Sequence, residues 1–128
     1  MKLNQTEKDN LRKLFVENGL TKDHIFTHRN FTIITRGGIE LIQAKNRINV
    51  EFEVVRCDPE FVVMKAVAYQ NGDDDYRIET FGSATNKNCI SKHLVEMAEK
   101  RALSRAVLKA TNMYAHGVFG EDEDVHRN

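Results

Sequence analysis

Residues 50–82, VEFEVVRCDPEFVVMKAVAYQNGDDDYRIETFG, decide the fold class. Val50, Phe52 and Val54 alternate with Glu51 and Glu53, the period of a strand with one face buried and one in water. Cys57-Asp58-Pro59-Glu60 is turn chemistry and holds the only proline of the chain. Phe61 to Tyr69 reads as a second strand, with Val62, Met64, Ala66 and Ala68 on one face and Phe61, Val63, Lys65, Val67 and Tyr69 on the other. Asn71-Gly72-Asp73-Asp74-Asp75 is the next turn, because Asn-Gly accepts left-handed dihedrals, and Tyr76 to Gly82 forms a third strand. Turns this tight leave neighbouring strands antiparallel.

Downstream, residues 91–111 predict the longest helix, rich in Ala, Leu, Glu, Lys and Arg, with Ser91 as its N-cap. Val95, Ala98, Ala102, Ala106 and Ala110 fall on one flank of it, and small residues there allow close approach to a sheet. Upstream, residues 6–18 predict a short amphipathic helix capped by Thr6 and stopped at Asn18-Gly19, with a further turn at 21–24. Phe31 to Thr35 is β-branched and aromatic and reads as a strand. Gly37-Gly38 follows, read as freeing the backbone for unusual dihedrals, and then a short helix around Ile39, Leu41 and Ile42. The expected fold is therefore α+β: an antiparallel, three- to four-stranded curved sheet, a long C-terminal helix packed on it and a short N-terminal helix. Residues 1–120 form the single domain and 121–128 an acidic flexible tail.

The chain has 128 residues, 41% hydrophobic and 30% charged, enough for one core without disulfides. Cys57 and Cys89 lack CxxC spacing and read as reduced thiols of a cytoplasmic protein, host cytoplasm if phage-encoded. No apolar run reaches the roughly 18 residues of a membrane span, and residues 1–8 show no secretion signal. The formal net charge is +0, but its distribution is uneven. Residues 86–110 are basic, and 121–128 carry Glu121, Asp122, Glu123 and Asp124 against Arg127.

The strongest constellation is on the long helix. Arg101, Arg105 and Lys109 stand at i, i+4 and i+8, one stripe that rises about 12 Å and suits a phosphate backbone. The same spacing also describes a solvated face, or arginines paired with sheet carboxylates such as Glu51 or Glu53. Glu99 lies toward the small-residue flank, where a carboxylate loses solvent and needs a cation; Arg56 and Arg77 are candidates. On the sheet, Tyr69 and Tyr76 sit among Lys65, Arg77 and Arg56, and aromatics interleaved with cations suit base stacking and phosphate contact in single strands.

Catalytic and metal chemistry finds little support. His24 and His28 have ligand spacing only if their stretch is helical, and no acidic third ligand is near. Asp73-Asp74-Asp75 lacks the calcium-loop pattern, and GxxxxGK[ST], GxGxxG and GxSxG are absent. The expectation is a non-enzyme without metal or cofactor.

The helix segment Met97-Ala98-Glu99-Lys100-Arg101-Ala102-Leu103-Ser104-Arg105-Ala106-Val107-Leu108-Lys109, with Val118-Phe119-Gly120-Glu121-Asp122-Glu123 after it, resembles phage and prophage single-stranded DNA-binding or annealing proteins. Residues 34–44 are similar to the same family's early segment, so the resemblance spans roughly 31–124. It implies a curved antiparallel sheet backed by a helix, assembly into rings or filaments, and action without nucleotide hydrolysis or metal. Arg101, Arg105 and Lys109 match the motif's basic positions, and Glu99, the acidic one, would orient one of them. The chain is short for an annealing protein, and its tail lacks the terminal apolar residue of bacterial single-strand-binding tails.

The expected function is non-catalytic binding of single-stranded DNA in phage-type replication or recombination, by a homo-oligomer whose acidic tail meets other replication or recombination proteins. The alternative is an assembly module with no nucleic-acid ligand.

Overall fold

The computed structural model describes residues 3–70, 73–87 and 93–123, with backbone alone at 73–76. Helix α1 runs Gln5–Glu17. Its N-cap is Asn4 rather than Thr6: the Asn4 side chain accepts from the Glu7 N–H while Glu7 reaches back to the Asn4 N–H, a reciprocal capping box. A 3₁₀ turn, Lys22–His24, leads into a hairpin of β1, Ile25–His28, and β2, Phe31–Ile34, with Arg29 left-handed at its tip (φ 58°). Helix α2, Arg36–Lys45, follows.

Strands β3 (Ile48–Cys57), β4 (Phe61–Gln70) and β5 (Asp73–Thr85) form the antiparallel sheet expected from the opening stretch, in that spatial order, with Asp73 to Asp75, read as turn, inside β5 because pairing with β4 reaches Asp73. Helix α3, Leu94–Ala110, packs on it. A second 3₁₀ turn, Tyr114–His116, precedes β6, Val118–Gly120. The α+β class, the C-terminal helix on a sheet and the short N-terminal helix are all as read from the sequence. The predicted strand at Phe31, however, joins a second sheet, β1-β2-β6, in which β2 and β6 run parallel. Contacts so distant in sequence leave no local pattern. The expected cap Ser91 lies outside the described residues.

Glycine and alanine set the distance between α3 and the large sheet. Ala98, Ala102 and Ala106 are completely buried. A Cβ on Gly82 of β5 would lie 2.3 Å from Ala98 O and 2.4 Å from Ala102 N, so two backbones meet where any side chain would intrude. Beside it, Thr80 Oγ1 donates to Ala102 O at 2.7 Å. At Gly38 the constraint is also space, not dihedral freedom. Its φ is ordinary, but a Cβ would stand 2.6 Å from Ile34 Cγ2.

The main core gathers Ile34, Ile39 and Ile42 with Val107, Leu108, Met113 and Val118, and so joins the two sheets through α2 and α3. Coverage of the large sheet is uneven. α3 lies over β4 and β5, and every residue of β3 from Glu51 onward is exposed. Phe52 and Val54, expected on a buried face, are therefore open to solvent, Val54 at 58%. Their cross-strand partners Ala66 and Met64 are buried on β4, so the two residues face the α3 side but lie beyond the helix's reach.

Candidate nucleic-acid interface

The basic stripe of α3 turns inward. Arg101 is only 4% exposed. Its Nη1 donates to Ser83 O at 2.8 Å and its Nε to Asp122 O at 2.7 Å. One turn later, Arg105 Nη1 donates to Phe81 O at 2.9 Å and Nε to Glu123 Oε1 at 3.1 Å. Among the described strands β5 pairs with β4 on one side only, and the two guanidiniums occupy its other edge. The spacing explains the match. Four helical residues advance about 6 Å, and two strand residues about 6.8 Å, so arginines at i and i+4 meet carbonyls at i and i+2. The stripe read as a phosphate track serves to cap a sheet edge, a place where unpaired carbonyls would otherwise invite another strand. Lys109, the third member, is exposed and lies over the Tyr114 ring, 5.5 Å from its centroid.

The segment expected as the start of a flexible tail is the other half of this cap. Glu121 N–H donates to Ile34 O at 2.8 Å, and its Oε1 accepts from Arg36 N–H at 2.6 Å, at the positive end of α2. Asp122 pairs with Arg36 at 3.7 Å. Glu123 is 1% exposed, with Oε2 accepting from Gly120 N–H at 2.8 Å. Burial pushes its carboxyl pKa above the ordinary value; the Gly120 N–H and Arg105 oppose this. The domain therefore extends through Glu123, and residues 124–128 lie outside the described residues.

Glu99 is exposed, so the desolvation expected of it does not arise. Its proposed partners are on the far side of the sheet. Arg56 lies 2.5 Å from Asp58 and over the Phe61 ring at 4.6 Å. Arg77 lies over the Tyr69 ring at 5.1 Å. Neither reaches across the sheet to α3.

That far face gathers the remaining candidates. The register sets Tyr69 against Arg77, Lys65 against Phe81, Phe61 against Thr85 and Val63 against Arg56. A β-bulge between Val54 and Arg56 returns Arg56 to this face; without it, strict alternation would aim the guanidinium at the α3 side. Arg56, Phe61, Lys65, Tyr69, Arg77 and Phe81 thus share the helix-free face, with Phe81 49% exposed. Glu51, Glu53 and Glu79 are on it too. Lys65 Nζ is 2.9 Å from Glu79 and 4.0 Å from Glu53, and its pKa is raised, first by the Glu79 hydrogen bond. Tyr69 donates to Glu51 at 3.2 Å. The face is aromatic and charged but not strongly positive. The Tyr76 side chain lies outside the described residues.

Among the described residues no three His, Cys, Asp or Glu side chains gather as a metal site. His24 belongs to the 3₁₀ turn and His28 to β1, so they share no helix. Cys57, His93 and Glu96 line one shallow depression, a neighbourhood that the 36-residue separation of the first two conceals in sequence. No described helix is long and apolar enough to cross a membrane. Comparison with protein-family models, with curated proteins and with solved structures finds no match to this chain.

Proposed function

We propose that this protein binds single-stranded DNA without catalysis, as in phage-type replication or recombination, and that the helix-free face of β3-β4-β5 is its platform. One observation carries the reading: Arg56, Phe61, Lys65, Tyr69, Arg77 and Phe81 share a face that no described helix covers. Phe81 is exposed, and Phe61 and Tyr69 are half-buried beneath Arg56 and Arg77; rings and guanidiniums so placed stack unpaired bases and meet phosphates, and duplex DNA, with its bases already stacked, offers them nothing. The carboxylates of the same face set the strength. A phosphate reaching Lys65 displaces Glu79 and Glu53, so binding is moderate and weakens with salt. Titration of a labelled oligonucleotide, single-stranded and duplex, at two salt concentrations tests this. Tighter single-strand binding that weakens with salt supports it; equal binding of both forms, or none at low salt, rejects it.

A second reading, assembly of copies through β3, is favoured by a separate observation. This edge strand of ten residues exposes Phe52, Val54 and Val55. An unprotected apolar edge is a template for another strand, and pairing between copies would extend the platform from one subunit to the next. The two readings are compatible, because β3 offers its edge to a neighbour and its outer face to DNA.

A further inference from the structure

We propose that the cleft between α1 and the β1–β2 hairpin is a second contact for the same DNA, taking phosphates on Lys8, Arg12 and Arg29 and an unstacked base between its apolar walls. This rests on the single-strand reading above. The cleft is open, and its walls include Leu11 and Phe15 of α1 and Ile25 and Phe31 of the hairpin. Lys8, Arg12 and Arg29 stand on its border, and the rest of its polar lining is Thr27, Asn30 and Thr32. Among the described residues no carboxylate lines it. In a chain with equal numbers of acidic and basic residues, three cations without an acid are a local selection of sign, and the platform face shows no such bias.

The elements fix this geometry. Lys8, Arg12 and Phe15 recur at i, i+4 and i+7 and so share one face of α1, spanning about 10 Å. Arg29 projects from the hairpin tip, where its left-handed backbone places it opposite. Phe31 is held edge-on by Phe119, ring centroids 5.2 Å apart, which keeps it from collapsing into the cleft. Arg12 lies 3.8 Å from Asp9, but both are exposed, and a surface pair of this kind yields readily to a phosphate. An apolar slot with two aromatic rings and a cationic rim fits a nucleotide whose base is free to enter, which single strands supply and duplexes do not.

The test uses the full chain and a labelled single-stranded oligonucleotide at several salt concentrations, comparing wild type, the cleft variant Lys8→Glu/Arg12→Glu/Arg29→Asp, and the platform variant Tyr69→Ala/Arg77→Ala. Aspartate at 29 tolerates the left-handed backbone. All three cleft side chains are exposed, so circular dichroism should match wild type. The cleft variant should bind at least about tenfold more weakly, with the log–log salt slope reduced by roughly 0.7 for each phosphate it no longer neutralises. If wild type binds and the platform variant weakens while the cleft variant keeps both affinity and slope, the cleft is not a DNA contact, and a glutamate-rich peptide should be titrated against it. If wild type binds no single strand, this inference and the reading beneath it both fall.

Discussion

Arg101 and Glu123 behave unlike the average members of their residue types, because each is buried with its charge. Arg101 to Ala would leave Ser83 O and Asp122 O without their donor in a place that solvent barely reaches. Charge-assisted bonds contribute about 1.5–3 kcal/mol each, so losing two is expected to cost about 3–6 kcal/mol, measured by chemical denaturation. Any fall in DNA affinity of this variant is then a fall in folded protein, and binding must be compared at equal folded fraction. If the variant instead melts like wild type, the edge cap is dispensable. Glu123 gives a pH signature. Its folded pKa is raised, so the folded state holds the proton more tightly than the unfolded state. Its contribution is complete below the unfolded pKa and is lost as pH rises through the folded one. The contribution of Glu123 should therefore grow as pH falls from neutral toward the ordinary carboxylate range. Glu123 to Gln removes the titrating group and keeps one acceptor oxygen of two, so its NH2 faces either Gly120 N–H or Arg105 Nε; it should lower stability and flatten that gain. Identical pH profiles for the two proteins would contradict the assignment.

At the scale of elements, the α3–β5 crossing is the tightest joint. Gly82 to Ala puts a methyl carbon 2.3 Å from Ala98 O, and neither backbone can retreat without losing the Thr80–Ala102 hydrogen bond. Overpacking usually costs about 1–3 kcal/mol. With backbone on both sides, the upper end or loss of folding is expected, read from a thermal melt. Strand β3 gives the opposite case. Val54 is mostly exposed, so Val54 to Lys should leave the melting temperature within about two degrees, since surface changes stay near ±0.5 kcal/mol. If copies pair through β3, it should also reduce the particle to a monomer in light scattering, because an edge lysine discourages strand pairing. A particle size indifferent to the substitution would remove β3 from any assembly contact.

For the whole molecule, the C-terminal acidic residues must be divided between fold and tail. Deleting 121–128 removes the Glu121–Arg36, Asp122–Arg36 and Glu123–Arg105 links together, so it should lower the melting temperature by several degrees. Deleting 124–128 alone keeps those links. If Asp124 and its neighbours screen a cationic DNA site, only this shorter deletion reports it, as tighter single-strand binding at an unchanged melting temperature.

Local patterning along the chain determined the α+β class, the three antiparallel strands and the long helix. Alternation, turn residues such as Asp58-Pro59 and helix-forming composition act within a few residues and are visible in any window of that size. The small-residue flank of α3 was legible at Ala98, Ala102 and Ala106, because close approach needs alanine whatever lies opposite; Val95, read onto the same flank, is exposed. What lay opposite was not. Arg101 and Arg105 have one spacing in sequence whether they meet phosphates, water or the carbonyls of a strand edge, and only the docking of α3 beside β5 decided for the edge. The second sheet arose in the same way, by pairing β2 with β6 across more than eighty residues. Tertiary structure also settled the environment of each charge. A carboxylate becomes buried, paired or exposed through neighbours brought from other segments, so Glu123, read as tail, lies in the interior, and Glu99, read as half-buried, lies in water.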